Sequence, residues 1–333
     1  MSRILTGIGT VTALGSRIKE ITGAINHGEK LPGYLPLREN GQAESFKAKT
    51  DQLTDFFPKK LLRRTDHFSK MALLAASLAI EDSGENKTTW SGDKTGLIIA
   101  TGYGGIHSTC RFKDSIFASH DKGPSPLLFS KSVHNQAASH LAILLGITGP
   151  NLTISQHYLS FHCAMQTAFL WLAEKRVERV IVGGVDEYDE VLAYCRKRFL
   201  QTDMEKSADP ALQNNTCIPG EGAGFFLLEE SEIKRGPIVD MVLIGRKPVN
   251  LPSYTHRQRQ IICYDCSRPS SSKDTATGSG DIDPRRFYGE FPTAAALDLA
   301  FALHSTPSGR DISSIQITGE QNYGIINIKN SPS

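Results

Sequence analysis

Apolar and polar positions along this chain keep changing period, and the changes predict alternating strands and helices. The clearest case lies between Gly149 and Glu187. A short apolar run from Asn151 to Ser155 reads as a strand, polar residues interrupt at Gln156 and His157, and apolar residues then recur at helical spacing from about Leu159 to Glu174. A buried strand, Val177 to Val182, follows and ends in Gly183-Gly184. Upstream, Ile4 to Ile8 reads as a strand, and Asp66 to Asp82 as a helix that Asp66 caps and Gly84 stops. Thr95 to Thr101 reads as a buried strand entering the Gly102-Tyr103-Gly104-Gly105 turn, His134 to Leu145 as a helix, and Gly222 to Leu228 as a strand. Such alternation predicts an α/β layered fold.

Beyond Glu230 the texture thins. Ile238 to Ile244 and Gln260 to Tyr264 read as strands, and residues 267–284 form an aperiodic Ser/Thr/Gly/Asp run expected to be a loop. A helix from about Pro292 to His304 precedes two last strands, Ile315 to Thr318 and Gly324 to Lys329. The pattern therefore divides the chain into a first lobe, residues 1–230, and a shorter, helix-poor second lobe, residues 231–333.

Composition narrows the function classes. A 333-residue chain with 39% apolar residues, 22% charged residues and a net charge of +2 offers no electrostatic reason to bind nucleic acid. No apolar run reaches membrane-spanning length, and the start, MSRILTGIGTVTALG, reads as a strand and turn rather than a leader. Six scattered cysteines (110, 163, 195, 217, 263 and 266) suggest free thiols in a reducing, cytoplasmic compartment. Cys263 and Cys266 form a lone CxxC, which lacks the four ligands of a structural zinc site, so neither metal nor cofactor is expected. Gly220-Glu221-Gly222-Ala223-Gly224 enters a strand rather than opening a helix, which points to backbone packing and not to phosphate binding.

The candidate chemistry sits at the turn after Ser155. A strand-to-helix elbow presents a nucleophile at a helix N-terminus, where backbone N–H groups can hold an oxyanion. Where Cys or Ser would stand, this chain has Gln156, His157 and Tyr158.

Several segments resemble the β-ketoacyl synthases of the thiolase-like fold. They are ILTGIGTVTALG, RRTDHFSKMALLAASLAIEDSG, TGLIIATGYGG, SVHNQAASHLAILLGITGPNLTIS, VIVGGVDE and IPGEGAGFFLLEE, in that order across residues 1–230. Beyond 230 only IDPRRFYGEFPTAAALDLAFAL and ITGEQNYGIINIK match. The resemblance implies a thiolase-like layered α-β-α-β-α fold with two related lobes, the C-terminal one shortened. It also implies a catalytic cysteine and two histidines. Counting back from Gly183-Gly184 puts the cysteine position at Tyr158 or within one residue of it. The second histidine falls on Glu290, and the first falls near Cys266 in Asp265-Cys266-Ser267-Arg268. A phenol with a pKa of about 10 is a poor thioester nucleophile at neutral pH, and an ionised carboxylate only accepts hydrogen bonds.

The resemblance therefore points to the family's inactive members, the chain length factors, which pair with an active β-ketoacyl synthase in type II polyketide or aryl-polyene systems. It implies a heterodimer formed through Asn151, Leu152, Thr153, Ile154 and Ser155. It also implies an acyl tunnel walled by Phe112, Ile116, Phe117, Val133 and His134, with Phe112 to Phe117 on a helix of about Ser108 to Ser119. Basic clusters at Lys59-Lys60 with Arg63-Arg64, and at Arg196-Lys197-Arg198, are candidates to meet an acyl carrier protein. Two other readings stay open: acyl transfer through a displaced thiol such as Cys163, and a homodimeric scaffold that binds carrier protein. His162 is no ready base for Cys163, because adjacent helix residues diverge by about 100°.

Overall fold

The computed structural model describes residues 2–37, 41–119, 123–206, 218–232, 236–246, 258–264, 283–318 and 322–330, with side chains left out at 200–206 and 258–264. In chain order the first elements are β1 (Ser2–Val11), α1 (Ile18–Asn26), β2 (Gly33–Pro36), β3 (Gln42–Ser45), α2 (Leu53–Phe56), α3 (Lys59–Leu62) and α4 (His67–Asp82). Next come β4 (Thr95–Ala100), α5 (Ile106–Ala118), α6 (Pro126–Ser132), α7 (Gln136–Leu145), β5 (Asn151–Ile154), α8 (Ser160–Ala173), β6 (Arg179–Asp186), α9 (Glu190–Lys206) and β7 (Gly222–Ser231). The rest are β8 (Ile238–Arg246), β9 (Gln258–Tyr264), α10 (Arg285–Tyr288), α11 (Ala295–Ser305), β10 (Asp311–Ile317) and β11 (Asn322–Lys329).

Nine strands form one sheet in the order β5-β4-β6-β7-β1-β8-β11-β10-β9, and β2-β3 is a separate hairpin. The large sheet is two blocks that repeat one topology. In the first block β4 runs parallel to β6, β6 antiparallel to β7, and β7 antiparallel to β1. In the second, β9 runs parallel to β10, β10 antiparallel to β11, and β11 antiparallel to β8. The first block carries one further parallel strand, β5, beyond β4, and no described strand stands beyond β9. Among the described residues the second block thus has one edge strand fewer than the first. The blocks meet at a narrow seam: Ile4 pairs with Ile238, and the Leu5 N–H donates to the Pro237 carbonyl at 2.8 Å.

Helices α8 and α11 lie between the blocks. α8 packs on β4 and β6 and also on β8 and β11, while α11 packs on β7 and β1 and on β10 and β9. Their small and apolar faces (Ala164, Met165, Ala168, Ala295, Ala296, Leu299, Ala300) form the middle core with Phe226, Val242, Ile312 and Ile326. On the far side of the first block, α4 and α7 close a second core around Phe68, Met71, Leu141 and Phe225. α4 is buried nearly all round, and its start is fixed because the Ser69 N–H donates to the Asp66 carboxylate at 2.6 Å. It lies so close to β1 that a Cβ on Gly9 would collide with the Ala75 carbonyl.

Most expected elements stand where the periodicity places them. The helix expected from His134 starts at Gln136, behind a separate short helix, α6, that the apolar pattern did not announce. The closing strand expected from Ile315 starts at Asp311, since Ser313 and Ser314 are buried strand residues that look like turn. Gly220 bears out the packing reading of its motif, because any side chain there would strike the Tyr288 carbonyl. Cys266 and residues 267–282 of the expected loop lie outside the described residues; Asp283 and Pro284 lead into α10.

Candidate functional site at the strand-to-helix elbow

The turn between β5 and α8 is held in an uncommon conformation. His157 has φ 50°, in the left-handed region that disfavours side chains, and begins a 3₁₀ turn that runs into α8. Ser160 holds that turn together. Its Oγ accepts from the Gln156 N–H at 2.8 Å and lies within donating distance of the Thr101 and His157 carbonyls, at 2.9 and 2.6 Å. The bend separates the three elbow side chains. Ser155, Gln156 and His157 are exposed, whereas Tyr158 is turned inward at 3% exposure, its ring edge-on to His157 with centroids 4.4 Å apart. The elbow therefore turns a phenol inward at Tyr158.

Beneath the elbow one carboxylate ties β6 to the turn after β4 and to the segment ahead of α11. Asp186, at the end of β6, is fully buried. One of its oxygens accepts from the Thr101 hydroxyl (2.8 Å), the Gly102 N–H (2.8 Å) and the Tyr103 N–H (2.7 Å). The other accepts from the Thr293 N–H (3.0 Å) and hydroxyl (2.8 Å), just ahead of α11. Burial pushes the Asp186 pKa up while these donors pull it back. Burial, with Asp186 adding to it, also pushes the Tyr103 phenol up, so Tyr103 stays neutral.

The Glu290 position is equally settled. Its carboxylate, 4% exposed, accepts from Arg285 Nη1 through both oxygens, at 2.8 and 2.7 Å. Arg285 also donates from Nε (2.9 Å) and Nη2 (2.6 Å) to Asp298, which accepts the Tyr288 hydroxyl at 2.5 Å. The Glu290 backbone pairs with residues 218–220: its N–H donates to the Ile218 carbonyl, and its carbonyl accepts from the Gly220 N–H, both at 3.1 Å. A residue fixed this way holds an ion pair in place.

Cys163 lies half-buried on α8, and burial raises its thiol pKa, the opposite of an activated nucleophile. His162 beside it is fully buried, and burial drives its pKa down to about 4, so its imidazole is neutral. Among the described residues no group of three or more His, Cys, Asp or Glu is placed to hold a metal, and no helix is long and apolar enough to cross a membrane.

The expected tunnel residues cluster on α5 and the α6–α7 junction. Phe112 and Ile116 are half-buried, while Phe117 (67% exposed), Val133 and His134 face outward. Sequence reasoning missed Phe129 on α6, whose ring packs on Phe112 at 5.4 Å. Ser125-Pro126 was the available signal: Ser125 caps α6 by accepting from the Leu128 N–H, and Pro126 opens it. It also missed an acid cluster near the start of α5. Glu187 accepts from the His107 N–H, Asp189 pairs with His107 Nδ1 at 2.7 Å, and Glu221 binds Lys47 and His67.

β5 is an edge strand with an open side. The Leu97 and Thr101 N–H groups donate to the Pro150 and Ile154 carbonyls, so the even-numbered residues face β4 and the backbone groups of Asn151 and Thr153 face away. Asn151 and Leu152 are exposed, and Thr153 and Ile154 are half-buried.

Residues 4–233 match the family described as "Beta-ketoacyl synthase, N-terminal domain". The chain belongs to the β-ketoacyl synthase family. Among curated relatives, a 3-oxoacyl-[acyl-carrier-protein] synthase 2 from Synechocystis is 25% identical over 262 residues, covering 73% of this chain. One of the same name from Vibrio harveyi is 26% identical over 264 residues. The match spans 61% of the length of each of these two ketosynthases. Solved ketosynthase structures share the whole fold. "The ishigamide ketosynthase/chain length factor" superposes with TM-score 0.74 at 15% identity, covering 100% of both chains. A β-ketoacyl synthase from Burkholderia phymatum gives 0.71 at 14% identity, covering 99% of this chain and 100% of its own. The AntDE:AntF type II ketosynthase with its acyl-carrier protein gives 0.70 at 14% identity, covering 99% of each chain. These likenesses establish the mixed α/β thiolase-like fold of a ketosynthase.

Proposed function

We propose that this ketosynthase-family chain is a non-catalytic partner subunit of the chain-length-factor kind, dividing into lobes at residues 1–230 and 231–333. The observation that carries the reading is Tyr158, a buried phenol where the condensing nucleophile would stand. A phenol near its ordinary pKa of about 10 holds almost no anion at neutral pH. Glu290, spent on Arg285, supports the same reading at a second position.

In this reading β5 pairs with an active β-ketoacyl synthase through Asn151 to Ser155, continuing the sheet across the interface. The ketosynthase carries the growing chain on its own cysteine. Phe112, Ile116, Phe117, Val133 and His134 then set where the tunnel ends, and one ring added or removed changes the accepted length. A surface cleft of about 790 Å³, lined by Lys59, Lys60, Arg63 and Lys70 together with Asp51, supports docking of an acidic carrier protein on the complex. Acyl transfer through Cys163 gains no support from a half-buried thiol with a raised pKa.

Co-expression with the nearest encoded ketosynthase, followed by native mass spectrometry, tests this function. A one-to-one heterodimer is expected, with this chain unlabelled by an acyl-thioester mimic. A homodimer with the ketosynthase separate favours the scaffold reading instead. Labelling that disappears in Cys163→Ala favours the thiol.

A further inference from the structure

Between α8 and β10 the middle core holds polar atoms that no described protein group satisfies. Residues directly opposite in an antiparallel pair project to the same face. Gln316 on β10 stands opposite Gly324 on β11. A Cβ on Gly324 would come within 2.7 Å of the His162 Cβ, so the Gln316 side chain rises from the sheet beside the His162 ring. Ser314, two residues back on the same face of β10, places its Oγ 3.4 Å from His162 Nε2. Gln316 and His162 are fully buried and Ser314 is 1% exposed.

With its proton on Nε2, directed at Ser314, His162 leaves Nδ1 as a bare acceptor. Among the described residues Nδ1 has no partner, and neither does the Oε1 or the Nε2 of Gln316. That is one buried donor group and two buried acceptors without a described partner, on facing elements. Leaving such groups dry is unfavourable, and buried polar atoms of this kind are ordinarily served by ordered water. A cation would leave the Gln316 amide N–H groups unserved, and an anion would face two acceptors. Burial keeps His162 neutral, and the nearby Arg285 and Asp298 charges act on it in opposite directions.

We propose that Gln316, His162 and Ser314 hold ordered water that braces α8 against the second block one helical turn beyond Tyr158. This site is independent of the chain-length-factor reading, because it uses no interface and no substrate. It differs in charge from the Arg285 cluster, which is ionic, whereas this one is neutral.

Water–protein cross-relaxation on the full-length, isotope-labelled chain tests it. Long-lived water cross-peaks to the Gln316 side-chain amide protons are expected, with His162 in the Nε2–H tautomer down to about pH 5. Their absence overturns the proposal. Gln316→Met gives a second readout of opposite sign for the two cases. Removing one member of a hydrated network strands the others, so the melting temperature is expected to fall by several degrees. If the amide were dry, its removal would relieve an unpaired group and the melting temperature would rise, which also overturns the proposal. Should Gln316→Met fail to fold, the wild-type spectrum decides alone.

Discussion

In the proposed non-catalytic reading, Tyr158 and Glu290 fail condensing chemistry in different physical ways. Tyr158 fails by what it is: a phenol packed inward behind a strained His157. Glu290 fails by what it is bound to. Its two oxygens are engaged by one guanidinium group, and Arg285 in turn bridges to Asp298, inside a core where charges are costly unless paired. Glu290→Ala should therefore destabilise the chain by about 3 kcal/mol, the low end for breaking a buried ion pair, because Asp298 still holds Arg285. Urea denaturation reads that loss directly, and a change below about 1 kcal/mol would show that the pair is not a structural anchor. Counting along FYGEFPTAAAL was enough to mark Glu290 as the odd residue. Its partner was not legible, since Arg285 and Arg286 are adjacent, and only the turn of α10 decides that Arg285 is buried while Arg286 pairs at the surface with Asp283.

At the scale of elements, the strands of the first block were legible because continuous apolar runs leave few alternatives to a buried strand. α9 was not, because its charged residues are spread round the helix and leave no clear apolar period. The hairpin β2-β3 was not, because its strands are short and half polar. The elbow was legible as a frame, but its inside and outside were not. Nothing in Gln156-His157-Tyr158 says which ring turns inward until His157 takes a left-handed φ. The open side of β5 carries a prediction at this scale. Thr153→Pro removes a backbone donor that faces away from β4, so the isolated chain should keep its stability to within about 1 kcal/mol. Pairing with a partner strand should fail, as analytical ultracentrifugation of the mixture with the ketosynthase would reveal. An undiminished complex would move the interface off β5.

For the whole molecule, two buried groups push pH dependence in opposite directions. Burial raises Glu187 to about 7, with Glu221 adding to the rise against His67, Lys47 and the His107 N–H. A folded pKa above the unfolded one contributes stability that is complete below about pH 4.3 and is lost as the pH rises to about 7. His162 is the reverse, lowered to about 4, so its contribution is complete above about pH 6.5 and is lost as the pH falls to about 4. Between roughly pH 4.5 and 6.5 the two slopes oppose each other. Glu187→Gln should leave a chain that loses stability on acidification faster than the wild type, and His162→Gln one that loses it more slowly. Urea midpoints at half-unit pH steps separate the cases, and parallel profiles for all three proteins would refute both assignments.

The position of β1 has a consequence for how the chain is made. It lies between β7 and β8, so both of its neighbours come from residue 222 onward. At about 5–20 residues per second, a ribosome leaves this apolar strand without either neighbour for roughly 10–40 s. The seam of the finished sheet is thus laid down before both of its neighbours and closed late, and the nascent chain needs shelter for β1 throughout that interval.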